Sequence, residues 1–281
     1  MDKGIKSRKL KNRLFRWLVI ALACACCVPL FFIIFYILQK GLGALSWAFF
    51  THVAKPVGEA GGGIADALIG TLLLVFLAVL FAAPVGVLAG VYLAENQGKT
   101  LTNYIRTAAE VLQGIPSIVL GIIAYLWLVK PLGTFSALSG SVALGFMMLP
   151  MIVRSTEEAI KLVPAGLKEA SLALGVPYYK TMLRVVIPAG FSGIITGVML
   201  GVSRIAGETA PLLFTAFGNN FITLNPLKPV NSLPLLIFNY AASPYASWHE
   251  LAWGAALVLL IMVLTLNLLA KMLARRWKTQ F

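Results

Sequence analysis

The chain has 281 residues, 59% of them hydrophobic and only 12% charged, with a formal net charge of +13. That composition excludes an ordinary soluble domain, and the apolar residues arrive in long blocks, the pattern of a chain whose solvent is lipid. The positive excess does not point to nucleic acid, because Lys and Arg cluster just outside the apolar blocks, where they set membrane topology.

The chain opens on a basic tail, residues 1–16, with seven Lys and Arg. A first apolar block covers 17–38. It is longer than a signal-peptide core and no clear small-residue cleavage site follows it. Cys24, Cys26 and Cys27 lie inside it and read as small apolar fillers. A connection over 39–66 carries Gly61, Gly62 and Gly63. The second block, 67–93, is followed by a loop with Lys99 and Arg106. The third and fourth, 112–129 and 137–153, are short and punctuated by Gly133 and Gly140. A charged, proline-punctuated island fills 154–188. The fifth block runs over 189–217. A connection over 218–249 then holds four prolines and the apolar run Leu233–Phe238, which suits a buried anchor, an interfacial segment or a cover over a pathway mouth. The sixth block is 250–270. The expected architecture is an all-α membrane protein of six transmembrane helices, with the tail at 1–16 and one transmembrane domain over 17–281.

Orientation follows from the basic residues flanking each block. The N-terminal tail has seven, the 94–111 loop two, the island five and the C-terminal tail four. The opposite side has four: Lys40, Lys55, Lys130 and Lys228. Both termini and the island are therefore expected in the cytoplasm.

Enzymatic chemistry is missing. Gly98-Lys99-Thr100 resembles the end of a phosphate-cradling loop, but the required first glycine is replaced by Leu93. Only His52 and His249 are present, and no His or Cys cluster has metal-ligand spacing. No catalytic or metal-binding residue is expected.

Two charges interrupt the fifth block. Arg204 and Glu208 are four apart, so on a helix they share a face and can pair. A charge at bilayer depth costs about 2.5–3.5 kcal/mol even on lenient insertion scales, so both belong inside a bundle. Gly193, Gly197 and Gly201 form a ladder that lets a second helix approach closely. Arg204 stands roughly 24 Å beyond Pro188 at 1.5 Å per residue. There its planar fork of donors suits phosphate oxygens. The alternative is an ion pair that merely fixes packing. Arg154, at the end of the fourth block, reads either as an inner anion contact or as a topology anchor.

Within the island, Pro164 suits a helix start, and Gly175 followed by Pro177 suits its end. The helix between, about 165–174, is too short to stand alone in water and needs something to hold it. Leu167, Ala170, Ser171 and Leu174 line one stripe. Glu169-Ala170-Ser171, Gly175 after three residues, and Val185-Val186-Ile187-Pro188 after nine more resemble the Glu-Ala-Ala loop of bacterial ABC importer permeases. The runs Ser203–Phe214, Pro150–Glu157, Gly114–Ser117 and Leu233–Phe238 resemble the phosphate-specific branch of that family, from about residue 65 onward.

The resemblance implies a type I ABC importer permease fold in the bacterial cytoplasmic membrane. It implies a short coupling helix, with Leu167, Glu169, Ala170, Ser171, Leu174 and Gly175 docking on an ATPase. It implies Arg154, Arg204 and Glu208 as the functional charges. Partners would be a PstC-type permease, a PstB-type ATPase dimer and a PstS-type phosphate-binding protein, besides phosphate and membrane lipid. ATP and Mg would sit on the ATPase, with no cofactor in this chain. A secondary transporter or anion channel, or an ABC permease for another oxyanion, is the competing reading.

Overall fold

In the computed structural model, which describes residues 2–56, 59 and 61–276, the described residues form thirteen α-helices, joined mostly by short turns and by two longer connections, after α2 and after α11. In chain order they are α1 (Asp2–Gly41), α2 (Trp47–Thr51), α3 (Ala65–Glu95), α4 (Thr100–Gly114), α5 (Ser117–Ala124), α6 (Lys130–Leu132), α7 (Ala137–Lys161), α8 (Ala165–Ala173), α9 (Tyr178–Thr181), α10 (Ile187–Ile205), α11 (Ala210–Thr215), α12 (Leu233–Ala241) and α13 (Ala246–Arg276). Single π turns, Tyr125–Val129 and Met182–Val186, join α5 to α6 and α9 to α10. Each π turn stops two residues before a proline, Pro131 or Pro188. A proline has no N–H for the i→i−4 bond and its ring crowds the preceding turn, so the ladder widens just upstream.

Five helices are long and apolar enough to cross a membrane: α1, α3, α7, α9 running into α10, and α13. The sixth crossing differs from the expected straight block at 112–129. It is the bent pair α4 and α5–α6, angled by 104° at Ile115–Pro116. Pro116 forces the residue before it out of helical space, and Ile115 is accordingly extended, with φ −71° and ψ 129°. The neighbours of this pair require it to cross. Gly86 of α3 lies against Ile152 of α7, and Gly90 against Thr156, so α3 and α7 run in the same direction. The chain between them must therefore return through the bilayer.

The centre of the bundle is α7, with 72% of its apolar window buried. α3 covers one side of it through Gly86 and Gly90. α10 covers another and runs antiparallel. Gly193 faces Ala159, Gly197 faces Ser155 and Gly201 faces Met148, so close that any Cβ would meet an atom at 2.3–2.6 Å. The glycine ladder is thus a helix–helix seam, as its spacing suggests. The main apolar core joins Leu74 and Ala78 of α3, Leu144, Met148 and Ile152 of α7, Val202 and Ile205 of α10, and Leu212 of α11.

At the end of the bundle opposite the island, the 218–249 connection is anchored rather than loose. Ser232 caps α12 by accepting from the Leu235 N–H, and Leu233, Leu235 and Leu236 are fully buried. Of the three readings of Leu233–Phe238, the buried anchor is the observed one. The connection is bonded to the first turns of α3. The Asp66 carboxylate accepts from Asn231 Nδ2 at 2.7 Å and from the Ala54 N–H at 3.3 Å, and Thr71 Oγ1 accepts from the Leu233 N–H at 2.8 Å. Burial, with Asp66 nearby, pushes the Tyr240 phenol to about 12. By contrast α1 meets the rest through its last turns, where Tyr36 packs edge-on against Trp253 and Gly41 against Leu257. Its apolar stretch is otherwise uncovered by this chain.

Candidate functional site

Arg204 occupies the last turn of α10, and Glu208 lies beyond it, in the break before α11. The expected single helix across both charges is not formed. The helix ends at Ile205, and Pro211 stands in the first turn of α11, where a missing N–H is tolerated. The charges nevertheless face each other, with Arg204 Nε 3.9 Å from Glu208 Oε1. That separation is an attraction without a tight hydrogen bond, and the Arg204 side chain is 41% exposed. Its Nη1 also lies 3.8 Å from the Met151 sulfur of α7.

Met151 is three residues, just under one helical turn, before Arg154. It therefore links the two predicted arginines along one face of α7. The Arg154 Nη2 donates to Glu110 Oε1 of α4 at 2.5 Å, with both side chains about half exposed. The opposite pairing lies beside it. Arg106 of α4 donates to Glu157 of α7 at 2.6 Å, and Lys161 reaches the same Glu157 oxygen at 2.6 Å. Arg106 and Glu110 thus bond across to α7 rather than to each other. Glu157 is almost wholly buried and needs both cations to offset its desolvation.

Glu110, Met151 and Glu157 are the residues that reading the sequence missed. The available signal was a pair of opposite charges about one helical turn apart, Arg106 with Glu110 and Arg154 with Glu157, on each of two segments predicted to lie on the same side. Each arginine of the line Arg204–Met151–Arg154 is left with unused N–H donors and a carboxylate neighbour. An anion could replace the carboxylate at either position. No group of His, Cys, Asp or Glu among the described residues could hold a metal ion.

At the island, α8 spans nearly the predicted range and none of its residues is buried. Gly175 ends it with φ +75°, a conformation costly for any residue with a Cβ. Its N–H donates to the Leu172 carbonyl and that of Val176 to the Ser171 carbonyl, which closes the last turn. The predicted stripe divides. Leu167 and Ser171 lean on the domain, Ser171 Oγ lying 2.9 Å from Thr181 Oγ1, while Glu169, Ala170 and Leu174 are exposed. Leu162 and Leu174, apolar and more than 80% exposed, flank the helix. Lys168 and Tyr178 both bond to Glu95 at the end of α3.

The family model for the binding-protein-dependent transport system inner membrane component matches residues 86–279. The phosphate transport system permease protein PstA of Yersinia pestis is 39% identical over 272 residues, 96% of this chain and 92% of its own length. That of Xylella fastidiosa (strain Temecula1) is 43% identical over 245 residues, 86% of this chain and 85% of its own. Among solved structures, an inward-facing MetNI methionine ABC transporter matches with a TM-score of 0.60 at 21% identity, over 77% of this chain and 94% of that one. A bacterial ABC transporter that imports the acidic polysaccharide alginate matches with a TM-score of 0.66 at 16% identity, over 97% and 100%. At such identities these two structures speak to the fold, that of type I ABC importer permeases.

Proposed function

The chain belongs to the binding-protein-dependent transport system inner membrane components, and from that membership we infer that it is the permease subunit of an ATP-driven importer of inorganic phosphate. The observation that carries the substrate is the near full-length likeness to the PstA permeases. The arrangement of Arg204, Met151 and Arg154 supports it chemically. Two guanidinium groups on facing helices, each resting on a carboxylate, offer an anion successive charge-assisted donors without holding it permanently.

In this reading the island and both termini face the cytoplasm. A PstS-type protein delivers phosphate at the opposite end, near the 39–66 and 218–249 connections. A PstC-type permease completes the pathway against the exposed face that carries Arg154 and Arg204. A PstB-type ATPase dimer binds ATP and Mg and docks on α8, where Glu169, Ala170 and Leu174 stand exposed beside Leu162. The chain itself is non-catalytic and receives its energy through that contact. Closure of the ATPase moves α8, the helices rock, and access to Arg204 changes sides.

Uptake of labelled phosphate by cells lacking this chain is the test. Wild type restores uptake and Arg204→Gln does not, although the protein reaches the membrane at the same level. Uptake restored by Arg204→Gln overturns the assigned role of Arg204, and failure of wild type to restore it overturns the phosphate reading.

A further inference from the structure

We propose that α3 is a transmission rod between α8 and the far end of the bundle, with Glu95 as the positioning residue that grips α8. The proposal rests on the importer reading above.

With nine residues, all short of full burial, α8 cannot persist by itself. What holds it therefore determines what it moves. Inside the island it is tied by Ser171 to Thr181. Its side-chain bond to an element outside the island ends on Glu95, the last residue of α3. Glu95 Oε2 accepts from Lys168 Nζ of α8 and, at 2.6 Å, from the Tyr178 hydroxyl of α9. One carboxylate oxygen thus holds the helices on both sides of the Gly175 turn. The Lys168 ammonium also lies over the Tyr178 ring, 5.2 Å from its centroid, so the three groups form a closed cluster. The Glu95 side chain is 13% exposed, although Lys168 and Tyr178 approach it from the solvent side.

From Glu95 the helix runs back for 31 residues, roughly 46 Å. Gly86 and Gly90 seat it against Ile152 and Thr156 of α7 with no slack. At its other end Asp66 and Thr71 hold Asn231 and Leu233 of the 218–249 connection. The rod is therefore gripped by side-chain hydrogen bonds at both ends, buried ones at Asp66 and Thr71 and a largely covered carboxylate at Glu95, and packed against α7 between them. Close-packed interiors transmit displacement rather than absorb it, so a shift of α8 reaches the connection on which substrate arrives.

The test uses the full complex with its ATPase and binding protein in proteoliposomes, with ATP hydrolysis and labelled phosphate uptake read side by side. Glu95→Ala should leave complex assembly and hydrolysis in place while uptake falls about tenfold, a loss within the usual range of inter-site coupling. Glu95→Gln keeps one acceptor oxygen, the number that Lys168 and Tyr178 share, and should retain most of the uptake. Lys168→Ala should reproduce the Glu95→Ala split and carries the test if Glu95→Ala does not assemble. Glu95→Ala and Lys168→Ala variants that keep the wild-type ratio of uptake to hydrolysis, whether both are intact or both fall together, overturn the proposal alone. A wild-type complex that neither hydrolyses ATP nor accumulates phosphate overturns the importer reading and the proposal with it.

Discussion

Gly70→Ala is the sharpest probe of how the 218–249 connection is mounted. Gly70 lies between Asp66 and Thr71, on the first turns of α3, where the backbone of Asn231 crosses it. A Cβ there would stand 2.0 Å from the Asn231 carbonyl oxygen, whereas ordinary contact begins at 3.4 Å. The obstacle is backbone, so no side chain can rotate out of the way. The connection has to retreat by about 1.4 Å, which breaks the 2.7 Å bond from Asn231 to Asp66 and the 2.8 Å bond from Leu233 to Thr71. Overpacking costs about 1–3 kcal/mol and each lost buried hydrogen bond about 1 kcal/mol. Together these come to roughly 3–5 kcal/mol, or a melting temperature lower by about 6–20 °C on the scale of 150–250-residue domains. Thermal unfolding of the purified protein in detergent measures the shift, with Gly43→Ala as control because nothing lies within 4 Å of its Cβ position. If Gly70→Ala melts with the control, the connection is not braced on α3 as described.

Glu208→Gln should lower the preference for phosphate over sulfate by roughly tenfold, since a carboxylate can accept from a protonated phosphate oxygen that sulfate lacks; competition uptake assays read it, and unchanged selectivity removes Glu208 from substrate recognition. Gly175→Val forces a β-branched residue to φ +75°, at a cost of about 1–2 kcal/mol, and should reduce co-purification of the ATPase without loss of the membrane domain. Removing both cations from the buried Glu157, as Arg106→Ala with Lys161→Ala, should destabilise by about 3–5 kcal/mol. Adding Glu157→Gln should recover much of that loss in thermal unfolding, because no buried charge is then left unpaired.

Much of the fold is legible in the sequence because lipid imposes a simple rule, a sufficient run of apolar residues. α1, α3, α7 and α13 follow that rule directly. It fails at the third crossing, where α4 is amphipathic rather than uniformly apolar and Pro116 breaks the line, so that an apolar block seen alone underestimates a bent span. It also fails at residue 205, where 189–217 reads as one block although the helix breaks there. Within the site, Arg204, Glu208 and Arg154 stand out as charges against an apolar background. Glu110 and Glu95 do not, because they lie at the ends of loops where a charge is unremarkable. Their importance depends on which helix packs alongside, information that only tertiary contact supplies.

The concealment of α7 bears on how the chain is made. It is the least apolar of the five long helices, carries Ser139, Ser141, Thr156 and Glu157, and has the largest share of its surface enclosed by protein. Lipid alone is a poor host for such a segment. α3 leaves the ribosome first and can offer one wall, but the glycine seam of α10 is synthesised only afterwards. A chain stalled after residue 165 would hold α7 with that seam uncovered. Stable integration of the central helix should therefore await a helix not yet translated, and α7 should remain accessible to the insertion and quality-control machinery until α10 arrives.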